Sequence, residues 1–257
     1  YYHMSRLFNS TVDIPPAIYR TIDKKLVCSV AQRAKGQSAM NRTAWKIILN
    51  ACVNPDSYKP VDDIFTPDRE QFFGTFYKGN GDRYNSEINS PRKAAWGAPQ
   101  SVEFQTTAAY AALRSEKDLS QAIKAGEASA RKIPVMNKEL GSQPISPVQM
   151  TYWMKELSEI SIFDHIFSQQ DRVGNIDFNW IWLWVDADGK VQNEKADIST
   201  LVREKALKTQ APAEIAAFKP ILIQKTTIKD NDAGARAYAN FALKASMVAN
   251  LRHLNAD

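Results

Sequence analysis

The sequence predicts an α+β fold, mostly helical after residue 100, because two kinds of hydrophobic periodicity occur in turn along the chain. Apolar residues three and four apart, typical of helices, follow Ser38 and Ser146. Strand-length apolar runs bounded by turn residues lie at 178–185 and 220–228. The 257 residues suffice for one large domain or for two lobes that share a cleft.

The first hundred residues predict short elements joined by an irregular connection. The segment 54–100 is rich in Pro, Gly, Asn and Asp, which indicates loops rather than regular structure. Five elements are expected in this part: a helix end at 2–9, strands at 17–20 and 25–30 joined by a turn at 21–24, a helix from 38 to 52, and an aromatic strand at 72–77.

The remainder predicts helices around a few strands. Ser146, Pro147 and Gln149 have the pattern of a helix start, with Ser146 as the cap, Pro147 at the first position and Gln149 closing a capping box. The other expected elements are an Ala-rich helix or helix pair over 106–132 broken near Gly126, a strand at 178–185, a hairpin turn at 186–189, a polar helical insert at 192–216, a strand at 220–228 and a helix over 235–253.

Composition limits the classes of partner and compartment. The net charge is +5, but Lys and Arg are scattered without a basic cluster, which argues against a nucleic-acid partner. No apolar run reaches the roughly 18 residues that a membrane span needs. The chain begins at Tyr1 without a Met and is therefore expected to be a trimmed piece of a longer protein. Cys28 and Cys52 are either two buried thiols or a single bridge.

Two acidic clusters carry the functional hypothesis. Asp171 and Arg172, with Asn175 four residues after Asp171, follow a predicted helix, and Asp230 follows a predicted strand. Phosphoryl transfer needs a carboxylate that accepts the proton of the incoming hydroxyl, and hard oxygen ligands that hold a divalent metal on the phosphates. We expect Asp171 to be the base, Asn175 and Asp230 to be metal ligands, and Arg172 to hold the loop through carboxylate or carbonyl bonds.

The same segments resemble the secretory-pathway kinases of the Golgi casein kinase type, which are distantly related to phosphatidylinositol 3- and 4-kinases. The segments that carry the resemblance are Phe163-Asp164-x-Ile166, Asp171-Arg172, Asn175, Lys229-Asp230-Asn231, and Tyr2-His-Met-Ser-Arg-Leu-Phe8 with Ile14-Pro-Pro16. The resemblance implies an atypical kinase that transfers the γ-phosphate of ATP, with Mg or Mn, to a protein or carbohydrate hydroxyl. It also implies secretion or another location in the secretory pathway.

The resemblance further implies a two-lobed protein-kinase-like fold with an incomplete N-lobe. Residues 1–78 would be the partial N-lobe and hinge region, and residues 79–257 would be the helical C-lobe. The ATP-binding lysine would lie upstream of Tyr1.

Some residues depart from the family pattern. Val173 stands where the relatives usually have His, and Asn175 falls four residues after Asp171 rather than the five seen in ordinary kinases. Asp177 and Asp232 are therefore kept as substitute metal ligands. The alternative is a pseudokinase or a non-catalytic binding or scaffolding module.

Four other motifs receive plainer interpretations. The segment Gly81-Asp82-Arg83 is a second Asp-Arg pair, interpreted as a polar turn, and 186–189 is interpreted as a hairpin turn rather than a calcium loop. The tryptophans at 180, 182 and 184 share one strand face and are expected to be core. The histidines are expected to be packing or surface residues; they are His3, His165 and His253.

Overall fold

The computed structural model of the chain describes residues 1–34, 38–57, 64–79, 84–90, 104–169, 172–200, 202–229, 248 and 251–253. The fold is mixed α+β, as the sequence predicts. It consists of a smaller compact unit at 15–79 and a larger one formed by the described residues in 1–14 and 80–257. Residues 1–14 therefore pack with the larger unit, whereas the sequence assigns them to the first of two lobes.

The smaller unit is a two-stranded sheet with two helices. Strand β1 (Ala17–Asp23) pairs antiparallel with β2 (Gln71–Tyr77). Helices α2 (Lys24–Arg33) and α3 (Ala39–Val53) follow β1 and precede a 3₁₀ turn at Pro55–Ser57. A disulfide joins the two helices through Cys28 and Cys52, with an Sγ–Sγ distance of 2.07 Å.

The predicted strand at 25–30 and the predicted turn at 21–24 are both wrong, because α2 begins directly after β1. The carboxylate of Asp23 accepts a hydrogen bond from the backbone N–H of Leu26 at 3.1 Å and so caps the helix. The alternation of Leu26, Cys28 and Val30 resembles a strand only locally. Its helical form is what brings Cys28 to Cys52 on the neighbouring helix.

The larger unit begins with α1 (Tyr2–Leu7), the predicted helix end. Four further helices form its main core: α4 (Ala108–Leu113), α5 (Leu119–Arg131), α6 (Pro134–Leu140) and α7 (Pro147–Ile166). Helix α7 starts as predicted, since the hydroxyl of Ser146 accepts from the N–H of Gln149 at 3.1 Å. The side chain of Gln149 does not close the predicted capping box, because it bonds a strand instead.

The predicted helix break near Gly126 is wrong, because the break lies between α4 and α5 and Gly126 sits inside α5. A Cβ at residue 126 would collide with the carbonyl oxygen of Ala108 and would approach the Cβ of Ala112 to 2.9 Å. The glycine therefore allows α4 and α5 to approach each other closely, and it does not end the helix.

Replacing Gly126 by alanine is expected to lower the free energy of unfolding by about 1 to 2 kcal/mol. The gain in helix propensity, about 1 kcal/mol, is smaller than the cost of overpacking α4 against α5. Urea denaturation measures the change. Ser120→Ala, at an exposed position of the same helix, is the matched control and should change stability by less than about 0.5 kcal/mol. An alanine at 126 that stabilises the chain would contradict the close approach.

A four-stranded sheet completes the larger unit. Its central strand β4 (Ile176–Val185) pairs antiparallel with β6 (Ile221–Ile228) on one side. On the other side it pairs with β3 (Tyr84–Asn85) near its start and with β5 (Val191–Lys195) near its end. The predicted tryptophan stripe is confirmed, because Trp180 and Trp182 are buried in one cluster with Trp184 packed against it.

The region predicted as a polar helical insert differs from that prediction. Residues 191–195 form β5, and the only helices that the structure describes between β5 and β6 are α8 (Arg203–Ala206) and α9 (Ala213–Ala216). The turn chemistry of 186–189 explains the difference. The Asp186 carboxylate accepts from the N–H groups of Asp188 and Lys190, so the chain reverses into a hairpin. The predicted helix over 235–253 lies almost entirely outside the described residues.

The outer edge of β6 is covered by side chains of α7 and by one extended residue. The amide of Gln149 bonds both the N–H and the carbonyl of Gln224, at 2.7 and 2.9 Å. The carboxyl of Glu156 accepts from the N–H of Thr226 at 2.9 Å. The backbone of Asp13 bonds two further backbone groups of the strand. The backbone N–H and carbonyl groups of Gln224 and Thr226 and the N–H of Ile228 thus have partners without a further strand.

None of the helices in the described part of the chain is long and apolar enough to cross a bilayer.

Candidate functional site

The predicted site residues divide into two sets. Arg172, Asn175 and Asp177 lie in the loop between α7 and β4 and at the start of β4, and the structure describes them. The predicted base Asp171 and the predicted metal ligands Asp230 and Asp232 lie outside the described residues, as does the second Asp-Arg pair, Asp82-Arg83. The geometry of the site is therefore described through residues that adjoin the predicted base and metal ligand, above all Arg172 and Lys229.

Arg172 is a buried cation with a bidentate carboxylate partner. Its Nε and Nη2 donate to the two oxygens of Asp164, both at 2.8 Å, and each side chain is almost fully buried. Two parallel N–H···O bonds to an ionised carboxylate are the strongest arrangement open to arginine. The carboxylate of Asp164, in the last turn of α7, thus fixes the position of the loop.

Tyr1 closes the same cluster from the side of α1. Its hydroxyl donates to Asp164 at 2.9 Å, and its ring lies 5.7 Å from the guanidinium carbon of Arg172 and 4.7 Å from the Phe167 ring. Burial, followed by the neighbouring Asp164 carboxylate, raises the pKa of the Tyr1 hydroxyl well above its usual range. The hydroxyl therefore stays protonated and serves as a donor to the carboxylate.

The third guanidinium nitrogen of Arg172, Nη1, joins the two predicted loops. Its Nη1 bonds the carbonyl of Asn175 at 3.3 Å and the carbonyl of Lys229 at 3.2 Å. The N–H of Lys229 also donates to the carbonyl of Asn175 at 3.2 Å. Since Arg172 directly follows Asp171 and Lys229 directly precedes Asp230, the segments that adjoin the predicted base and the predicted metal ligand are in contact.

The pairing of β4 with β6 explains why the loops meet. Ile176, the first residue of β4, is paired with Ile228, the last residue of β6. Residues before β4 and residues after β6 therefore leave the sheet at the same end. In sequence the two segments are more than fifty residues apart, and the antiparallel pair brings them together.

The tight turn between Arg172 and β4 depends on a glycine. Gly174 has a φ of 82°, in the left-handed region that favours glycine, and its N–H donates to the hydroxyl of Ser90 at 2.5 Å. Val173, at the position where the relatives usually have His, is buried in the main helical core. An apolar residue suits this position because its side chain contributes to packing.

Asp177 lies on β4 and is held by a lysine from the other loop. Its two carboxylate oxygens lie 2.8 and 2.9 Å from Nζ of Lys229. Asp177 is buried, whereas the lysine side chain is 20% exposed. The sequence offers Asp177 as a substitute metal ligand, and in the structure an ammonium group occupies both of its oxygens. Among the described residues no three His, Cys, Asp or Glu side chains are grouped so as to hold a metal.

Two asparagines beside Asp177 are not among the site residues predicted from the sequence. Asn85 is the cross-strand partner of Asp177 on β3, and Asn179 lies two residues further along β4. The Oδ1 atoms of both are buried and have no hydrogen-bond partner among the described residues. A signal did exist for Asn179, which interrupts the densest apolar run of the chain. Tyr1 and Lys229 carry no comparable local signal, because their partners are distant in sequence.

The comparisons with known proteins give no relative, since the chain matches no family model, no curated protein and no solved structure.

Proposed function

We propose that the chain is an atypical kinase that transfers the γ-phosphate of ATP to a hydroxyl of a protein or carbohydrate. One observation carries the proposal: Arg172 and Lys229, the neighbours of Asp171 and Asp230, are joined by a hydrogen bond at 3.2 Å. A base on one loop and a metal ligand on the other would then serve the same cleft. The resemblance to the Golgi casein kinase type supports the same two-lobed, kinase-like interpretation.

Each residue has a role in this proposal. Asp171 accepts the proton of the acceptor hydroxyl, and the oxygen of that hydroxyl attacks the γ-phosphorus of ATP. The bond from the γ-phosphorus to the oxygen that bridges it to the β-phosphorus breaks, and ADP leaves. Asp230 and Asn175 would hold Mg or Mn, which supplies positive charge to the phosphate oxygens. Arg172 is a positioning residue, because its bonds go to Asp164 and to backbone carbonyls.

The test is transfer of labelled phosphate from ATP, with magnesium or manganese, to protein and sugar acceptors. Asp171→Ala and Asp230→Ala are each expected to reduce the rate by about 10²-fold or more, since a general base or a metal ligand is removed. Asp82→Ala, in the second Asp-Arg pair, is the matched control and should keep its activity. Unchanged turnover in the Asp171 and Asp230 variants would remove the assignment.

Thermal unfolding separates the kinase from the non-catalytic alternative. A ligand that binds only the native state raises the apparent stability, so ATP with a divalent metal should raise the Tm of the chain. A shift without transfer would indicate a pseudokinase. No shift with any nucleotide would favour a binding or scaffolding module.

We also propose that the chain works in an oxidising, exported compartment. The disulfide between Cys28 and Cys52 supports this, because such bonds persist mainly outside the reducing cytosol. Mass spectrometry of alkylated protein from its native source would test it. Two freely alkylated thiols would contradict the proposal.

A further inference from the structure

The sheet face that carries Asp177 has the features of a cation site. Cross-strand partners and residues two apart on a strand point to the same face, so Asn85, Asp177 and Asn179 share it. Directly opposed side chains have Cβ atoms about 5 Å apart. One buried carboxylate and two buried amide oxygens are therefore grouped at the start of β4.

The unsatisfied oxygens point to a missing positive or donating group. Buried polar atoms in proteins are nearly always bonded, yet Oδ1 of Asn85 and Oδ1 of Asn179 have no partner in the described part of the chain. The residue Asn179 is only 8% exposed. Carboxylate and amide oxygens are the ligands that hard divalent cations such as Mg²⁺ and Mn²⁺ prefer.

The ammonium of Lys229 is already a cation in this position. It lies at 2.8 and 2.9 Å from the two oxygens of Asp177, and so neutralises a carboxylate that is buried on the sheet. The lysine side chain is partly exposed and flexible, whereas Asp177 is fixed on the central strand. The ammonium group of Lys229 can therefore move out toward solvent, whereas the carboxylate of Asp177 stays on the sheet.

We propose that Asp177, Asn85 and Asn179 form a divalent-cation site, and that the ammonium of Lys229 occupies this site when no metal is bound. Metal entry releases Lys229, whose backbone directly precedes Asp230, the predicted metal ligand. The site exchanges one cation for another, so Asp177 always has a counter-charge. The inference does not depend on phosphoryl transfer, because it concerns metal binding alone.

Lys229→Met tests the exchange in the full chain, without nucleotide. The variant removes the ammonium from the buried carboxylate of Asp177, so it should unfold at a lower temperature in EDTA than the parent chain. Millimolar MnCl₂ should raise its Tm by about 5 °C or more at roughly 100-fold excess over the dissociation constant. The parent chain should respond less, because Lys229 competes with the metal.

Two controls identify the site. Lys225→Met removes a lysine on the same face of β6 whose partner Asp13 is 46% exposed. Because Lys229 remains, manganese should raise the Tm of this variant no more than it raises the Tm of the parent chain. The double variant Asp177→Asn/Lys229→Met removes the carboxylate as well, so it should be more stable than Lys229→Met in EDTA and insensitive to manganese. Equal manganese responses in Lys229→Met and Lys225→Met, or a response that persists in the double variant, would overturn the proposal.

A second variant keeps the test independent of the folding of Lys229→Met. Asn179→Asp adds a carboxylate to the site while Lys229 remains, and it should bind Mn²⁺ at least about 10-fold more tightly than the parent chain. Electron paramagnetic resonance of free Mn²⁺ measures the binding. Absence of binding to Asn179→Asp would overturn the site. Since no nucleotide is present, this outcome is separate from failure of the kinase proposal.

Discussion

Replacing Arg172 by methionine is expected to lower the free energy of unfolding by about 3 to 5 kcal/mol, because it leaves the buried carboxylate of Asp164 without its cation. The bond from the Tyr1 hydroxyl remains, but a neutral donor does not replace the charge. The carbonyls of Asn175 and Lys229 also lose the bond from Nη1 of Arg172, although the carbonyl of Asn175 keeps the N–H of Lys229 as a donor. Urea denaturation followed by tryptophan fluorescence measures the loss.

Two variants show whether the charge pair is the cause. Arg114→Met removes an exposed arginine whose side chain bonds the amide of Gln105, and it should change stability by less than about 0.5 kcal/mol. Asp164→Asn/Arg172→Met removes both charges and should lose less stability than Arg172→Met. If the double variant is less stable than the single one, the carboxylate is not the group that Arg172 neutralises.

Glu156→Gln is expected to make the chain more stable than the parent at pH 8, and about equally stable at pH 5. Glu156 is fully buried on α7, and Oε2 of its carboxyl has no hydrogen-bond partner within the described ranges. Burial raises the pKa of this carboxyl to about 8, while hydrogen bonding to Thr226 opposes the rise. A glutamine keeps the acceptor for the Thr226 N–H and carries no charge at any pH.

The sign of the pH dependence follows from proton binding. The pKa of Glu156 is raised in the folded chain above its ordinary value of 4.5. Its stabilising contribution is therefore complete below pH 4.5 and is lost as the pH rises through 8. Glu156→Gln lacks this loss, so its free energy of unfolding gains on that of the parent chain by up to about 1.4 kcal/mol per pH unit between pH 4.5 and 8. At pH 8 we expect the variant to be more stable than the parent by roughly 2 to 4 kcal/mol.

Urea denaturation at pH 5 and pH 8.5 checks the prediction. Glu116→Gln, at an exposed glutamate between α4 and α5, is the matched control and should show no such growth with pH. Glu139 is partly buried, and desolvation raises the pKa of its carboxyl to about 8, so the Glu156→Gln variant still loses some stability as the pH rises. An advantage of Glu156→Gln that is equal at both pH values would mean that Glu156 is ionised in the folded chain.

The sequence predicted correctly those elements whose signal lies within a few neighbouring residues. Ser146 and Pro147 predicted the start of α7, and the apolar runs predicted β4 and β6. In each case the signal lies within a few residues, as a cap or a strand-length run. The order of these elements also predicted that the loop after α7 and the loop after β6 contribute to one site.

Long-range contacts determined what the sequence missed. Residues 25–30 became a helix whose Cys28 bonds Cys52, and Gly126 lies where α4 crosses α5. The two loops of the site meet because β4 pairs with β6 over eight residues, a register that no short segment contains. Gln149 and Glu156 bond β6, and the sequence indicates this only in that each is a polar residue among the apolar residues of α7.

The side chains that cover β6 have a consequence for behaviour in concentrated solution. An uncovered outer strand can recruit the strand of another molecule and start aggregation. Here the amide of Gln149, the carboxyl of Glu156 and the backbone of Asp13 occupy the positions that an incoming strand would need. Protection of this edge therefore depends on a helix facing the sheet, and replacing Gln149 by alanine is expected to leave the N–H and carbonyl of Gln224 open to an incoming strand.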